Sequence, residues 1–67
     1  MFKWKNRILA INKAYRLVKE TGVSPERACD YIITQDDEFC VNVESMTKRQ
    51  FSNYVKEVQS LIEMEKA

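Results

Sequence analysis

The only glycine and the only proline of the chain, Gly22 and Pro25, fall in one four-residue segment, Gly22-Val23-Ser24-Pro25. A β-sandwich needs glycine, proline or a similar residue at most of its turns, and collagen needs glycine at every third position. One glycine in 67 residues excludes both. A chain with a single strong breaker is a helical chain, and its 45% hydrophobic content separates it from disordered sequences of similar charge. Sixty-seven residues enclose one small core. The expectation is therefore a single all-α domain spanning residues 1 to 67.

Upstream of the break, Trp4, Ile8, Ile11, Tyr15 and Val18 step by 4, 3, 4 and 3 residues, which lays one apolar stripe along a helix. Ala10, Ala14 and Leu17 widen it. Gly22 stands where a helix commonly ends in a left-handed residue, so the first helix is expected from about residue 3 to 21. A rival reading makes Met1 to Lys5 a short strand with Phe2 and Trp4 on one face. Downstream, Ser24 and Pro25 are a helix N-cap and first helical residue, with Val23 and Ala28 as a hydrophobic staple. Ala28, Tyr31 and Ile32 form the expected inner face of this second helix, with Cys29 or Ile33 at its margin and an end near Gln35.

From Asp36 to Met46 the pattern changes, because Phe39, Val41 and Val43 alternate with Cys40, Asn42 and Glu44 as in a strand. This extended or strand-like loop has three options: to pair with residues 1 to 5, to pair with a second copy, or to tuck under the helices. Met46-Thr47-Lys48-Arg49-Gln50-Phe51 then carries a capping box, Thr47 with Gln50, and a staple, Met46 with Phe51. The third helix starts there and keeps Phe51, Tyr54, Val55, Val58, Leu61 and Ile62 on one face. The expected core is Ile8, Ile11, Tyr15, Val18, Ala28, Tyr31, Ile32, Phe51, Tyr54, Val55 and Val58. Leu61, Ile62 and Met64 carry the apolar face beyond it, which predicts a homodimer through those residues.

Reactive chemistry is sparse. Histidine, the usual general base, does not occur, and two cysteines without histidine write no zinc pattern, so neither an enzyme nor a metal or other cofactor is expected. Cys29 and Cys40 sit among apolar residues and are expected to be buried, inert thiols. Asp36, Asp37 and Glu38 are consecutive, so they point in different directions and solvate a loop. No apolar run approaches the length of a membrane span, and the basic start lacks the apolar region of a signal peptide; the expected location is cytoplasmic.

The formal net charge of +1 hides a polarity along the chain. Residues 1 to 22 carry Lys3, Lys5, Arg7, Lys13, Arg16 and Lys19 against Glu20 alone. Residues 23 to 45 reverse this, with Arg27 against Glu26, Asp30, Asp36, Asp37, Glu38 and Glu44. In the last third, Lys48, Arg49 and Lys56 precede the first acid, Glu57. The plain reading is solvated helix faces whose charge keeps a small protein soluble; the functional reading is two basic surfaces separated by an acidic one.

Residues 14 to 32, AYRLVKETGVSPERACDYI, resemble the opening of the trihelical helix-turn-helix domains of insertion-sequence transposases and related small DNA-binding regulators. Residues 47 to 56, TKRQFSNYVK, are similar to the recognition helix of that family, with Tyr54 where an aromatic residue commonly locks the helix onto the core. The resemblance implies a three-helix domain whose third helix reads duplex DNA. Lys48, Arg49, Ser52, Asn53 and Lys56 would then face the groove, Arg and Asn being able to bond base edges in pairs. Lys3, Lys5 and Arg7 would add phosphate contacts. The family's turn between the second and third helices is about three or four residues long; here residues 36 to 46 intervene. A second class of function, a small protein-interaction module acting through the acidic middle or the C-terminal helix, fits the pI of about 7.7 better than a strongly basic DNA binder would. Binding to a membrane surface by the first helix is not expected, since its apolar stripe is needed for the core.

Overall fold

The structure is a computed structural model that describes residues 1–35 and 38–66, with only the backbone of Gln35. Its elements are a two-residue strand β1 (Lys3–Trp4), helix α1 (Arg7–Thr21), helix α2 (Pro25–Gln35), a second short strand β2 (Cys40–Val41), a 3₁₀ turn (Val43–Ser45) and helix α3 (Lys48–Lys66). Each helix packs against the other two.

The helix boundaries follow local chemistry. Asn6 precedes α1 and accepts a 3.1 Å bond from the Leu9 N–H on its Oδ1, which satisfies one of the open donors of the first turn. At the other end Gly22 takes φ 75°, and its N–H donates to the Val18 carbonyl at 2.9 Å. Ser24 caps α2 through Oγ, accepting from the Arg27 N–H at 3.2 Å. The capping box of α3 is closed in both directions: the Gln50 N–H donates to Thr47 Oγ1 at 3.1 Å, and the Thr47 N–H donates to Gln50 Oε1 at 2.9 Å. Three of these four signals are the ones expected from the sequence. The fourth, Asn6, corrects the expected start of the first helix from about residue 3 to Arg7.

The all-α expectation is also corrected, because β1 and β2 pair antiparallel with Lys3 opposite Val41 and Trp4 opposite Cys40. Of the options for the strand-like loop, the chain takes pairing with its own N-terminal residues. The reason is the aromatic content of the N-terminus. As a strand, residues 2 to 4 set the Phe2 and Trp4 rings edge to face at 5.1 Å, and Trp4 meets Tyr54 of α3 in the same way at 5.2 Å. A helix beginning at residue 3 would lose that chain of rings. The pairing continues into the Phe39 carbonyl, which accepts from the N–H groups of Lys5 and Asn6 at 2.8 and 3.2 Å. After β2, Asn42 turns the chain at φ 55°, a left-handed conformation that asparagine tolerates better than most residues.

The buried cluster consists of Phe2, Ala10, Ala14, Ala28, Cys29, Ile32, Ile33, Phe39, Cys40, Tyr54 and Val58. Of the expected core, Ala28, Ile32, Tyr54 and Val58 are in it, while Ile11, Tyr15, Val18, Phe51 and Val55 pack against it partly buried. Ile8 and Tyr31 are corrections, 73% and 52% exposed. In α1 the fully buried residues are the two alanines, one turn apart, and Ile8 lies more than a quarter-turn away from them at 100° per residue. Small side chains let helices approach closely, so the face of α1 that meets its neighbours is the one with the least bulk. In α2 the inner face rotates toward Cys29 and Ile33 and away from Tyr31, since the buried Phe39 and Cys40 add a further apolar wall to the cluster. Asp36 and Asp37 of the expected acidic loop lie outside the described residues; Glu38 is exposed.

Candidate functional site

The inner face of α3 is set by Phe51, Tyr54, Val55 and Val58. With those positions turned to the core, Arg49, Ser52, Asn53 and Lys56 fall at i, i+3, i+4 and i+7 on the opposite side, within an arc of about 100° at 3.6 residues per turn. All four are exposed. Lys48 is exposed too, on the flank of the stripe, where it borders a shallow groove with Val43, Met46 and Phe51. Gln50 is committed to the cap. The first turn of α3 has no acidic residue and opens with Lys48 and Arg49. Cations there oppose the positive end of the helix dipole, so this start is built against helix stability and concentrates positive potential at one end of the stripe.

The rotation of α3 about its own axis is fixed from inside. Tyr54 is 1% exposed, and its hydroxyl donates to the Ala10 carbonyl of α1 at 2.8 Å. Trp4 closes over the same ring. At the far end, Glu65 accepts hydrogen bonds from the Tyr15 hydroxyl and the Lys19 ammonium, which ties the last turns of α3 to the end of α1. These bonds hold the Glu65 carboxyl below its ordinary range, through Lys19 first and then Tyr15.

The remaining basic residues of the expected site divide. Lys3 and Lys5 are exposed on β1 and the bend after it. Among the described residues no contact ties their side chains to the α3 stripe. Arg7 is brought to α3, but into an ion pair: its Nη2 lies 2.6 Å from Glu57 Oε1. Glu57, one turn beyond Asn53, was not singled out by the sequence. Its signal was present, as the first acid after three basic residues and at the margin of the apolar face, where a carboxylate needs a cation. Nothing in the spacing names position 7 as the source.

Leu61, Ile62 and Met64 also separate. Ile62 packs partly buried against the core, Met64 is 73% exposed, and Leu61 lines a groove with Ile8, Ile11, Asn12, Glu57 and Ser60. Cys29 and Cys40 are buried, as expected, and are not joined in a disulfide. Burial pushes the Cys29 thiol up to about 12, so it holds its proton and is a poor nucleophile at neutral pH. Burial first, and then the neighbouring Cys29 and Cys40, push the Tyr54 phenol up as well. Among the described residues no group of three or more acidic, cysteine or histidine side chains is placed to hold a metal ion, and no helix is long and apolar enough to cross a membrane.

Comparison of the chain with protein-family models, with curated proteins and with solved structures finds no match.

Proposed function

We propose that the chain is a small DNA-binding regulatory protein that reads duplex DNA with α3, in the manner of a helix-turn-helix domain. The observation that carries this reading is the exposed stripe Arg49-Ser52-Asn53-Lys56 on a helix whose opposite face is locked by Tyr54 and Val58. A helix entering a major groove needs base-reading side chains on one face and a rigid mount on the other. Arg49 and Asn53, one turn apart, are the leading base readers, while Lys48 and Lys56 lie nearer the phosphates. Ser52 serves either. The buried Tyr54 supports the likeness to a recognition helix, because an aromatic at that position locks the helix to the core. The long α2–α3 connection departs from the pattern, and the mount for α3 is correspondingly broader, using Trp4 and the β1–β2 pair beside α1 and α2.

Low overall charge is compatible with this role when the positive charge is local. The Arg49-Ser52-Asn53-Lys56 stripe itself carries no acid; Asp30 lies on α2 and Glu44 in the 3₁₀ turn, while Glu26 of α2 borders the groove of Lys48 at the edge of the stripe. The test is fluorescence anisotropy with a random duplex at low salt. Wild type should bind, and the double substitution R49E/K56E should abolish binding while leaving the helical circular dichroism unchanged. A wild type that does not bind refutes the reading.

A second reading, a protein-interaction module, is favoured by one observation: Ile8 is 73% exposed beside the groove of Ile11 and Leu61. An exposed isoleucine next to further apolar surface suits a protein partner against the C-terminal helix.

A further inference from the structure

We propose that Glu57 withholds Arg7 from DNA, so that Arg7 contributes no phosphate contact unless the carboxylate is neutralised; this rests on the duplex-binding reading above. Arg7 is the first residue of α1 and no acid stands in that first turn, so its cation sits at the positive end of a helix dipole and needs an anion nearby. Glu57 provides it from α3 at 2.6 Å. The two side chains are about half exposed, at 49% and 41%, and an ordinary surface pair of that kind is easily exchanged for solvent or phosphate.

This pair differs in one respect. The other carboxylate oxygen, Glu57 Oε2, is shut off from solvent and has no hydrogen-bond partner among the described residues. A shielded acceptor without a donor already carries a desolvation cost, and removing the neighbouring cation would leave the whole carboxylate less compensated. A phosphate drawing Arg7 away would have to meet that cost. It would also approach Glu57 itself, a fixed negative charge one turn from Asn53 and adjacent to Lys56. Arg7 is thus held at the edge of the reading stripe with its charge already spent on Glu57. The sequence placed Arg7 among the phosphate-binding residues; on this proposal it leaves that set for as long as Glu57 is charged. The consequence is a weaker sequence-independent term beside an unchanged base-reading face, which favours selectivity over raw affinity.

The experiment is a salt titration of duplex affinity for wild type, E57Q, R7A and the double variant R7A/E57Q, from about 50 to about 200 mM salt. E57Q is isosteric and removes the charge that holds Arg7. It should bind more tightly, and the slope of log K against log salt should steepen by about 0.9, the value of one added phosphate contact. R7A should keep the wild-type slope. R7A/E57Q should return to the wild-type slope, which shows that the gain came from Arg7 and not merely from the loss of a repelling carboxylate. That double variant strands no charge, so it carries the comparison even if R7A alone folds poorly. An unchanged slope in E57Q, a shallower slope in folded R7A, or a gain that survives in R7A/E57Q each overturns the inference while duplex binding stands. Absence of binding in wild type and all variants refutes the duplex-binding reading instead.

Discussion

The Tyr54 hydroxyl of α3 donates to the carbonyl of Ala10 in the interior, at 2.8 Å. This bond sets how far α3 is rotated relative to α1, and therefore which residues of α3 face outward. Tyr54→Phe removes the hydroxyl and leaves the ring. It should cost about 0.5 to 1.5 kcal/mol by chemical denaturation. Tyr54→Ala removes the ring that Trp4 and the core pack on, and should cost about 3 to 5 kcal/mol. Equal losses for the two variants would show that the hydrogen bond, and not the ring, carries the site.

The buried face of α1 makes a prediction opposite to its apolar stripe. Ile8→Ala should change stability by less than about 0.5 kcal/mol, because Ile8 is largely in solvent. Ala14→Leu should destabilise by about 1 to 3 kcal/mol, because Ala14 is fully buried where the helices approach and three added carbons have no room. Thermal melts of the two variants side by side decide it. A large loss for Ile8→Ala would return that residue to the core.

Alkaline pH should unfold the protein through its buried acids. Cys29 has its thiol raised from 9.0 to about 12, and Tyr54 is raised in the same direction. Both groups are neutral when protonated, so the folded state keeps protons that the unfolded state releases. The Cys29 contribution is fully present below about pH 9 and is lost as pH rises from there toward about 12, while that of Tyr54 starts to fall only above about pH 10. Above pH 9, Cys29 alone should remove up to about 1.4 kcal/mol per pH unit. Cys29→Ala should flatten the fall in denaturation free energy between neutral and alkaline pH. A fall of the same steepness in that variant would place the cause elsewhere.

At acid pH the end of α3 is the sensitive region. Glu65 is held below its ordinary value by Lys19 and Tyr15, so its contribution is present above the ordinary carboxylate range and lost as pH falls through the lowered folded value. Amide exchange in the last two turns of α3, taken relative to the intrinsic rate at each pH, should quicken on acidification. Glu65→Gln should show that faster exchange already at neutral pH.

Much of this fold was legible in single residues. Gly22, Ser24, Thr47 and Gln50 act where a local rule places them, because a cap involves atoms within four positions of each other. Asn6 obeys the same rule, but the four-residue step from Trp4 to Ile8 imitates a helical stripe across it. The β1–β2 pairing was legible only as one of three options and the Arg7–Glu57 contact not at all, for a different reason: they join residues 36 to 38 and 50 positions apart, and no period within either segment refers to the other. The α3 stripe lies between these cases. Its polar residues are periodic, but their common outward direction depends on Tyr54 being the residue that is buried.

The central claim is tested most directly by the affinities of wild type, Lys48→Ala and Arg49→Ala for a duplex selected from a random pool and for an unselected one. Lys48→Ala should weaken both alike and flatten the dependence of log K on log salt by about 0.9. Arg49→Ala should cost about 1 to 3 kcal/mol on the selected duplex and much less on the other, since a base contact discriminates and a phosphate contact does not. Affinities unaltered by either substitution, or no duplex affinity in the wild type at low salt, would contradict the assignment of α3 as a groove-reading helix.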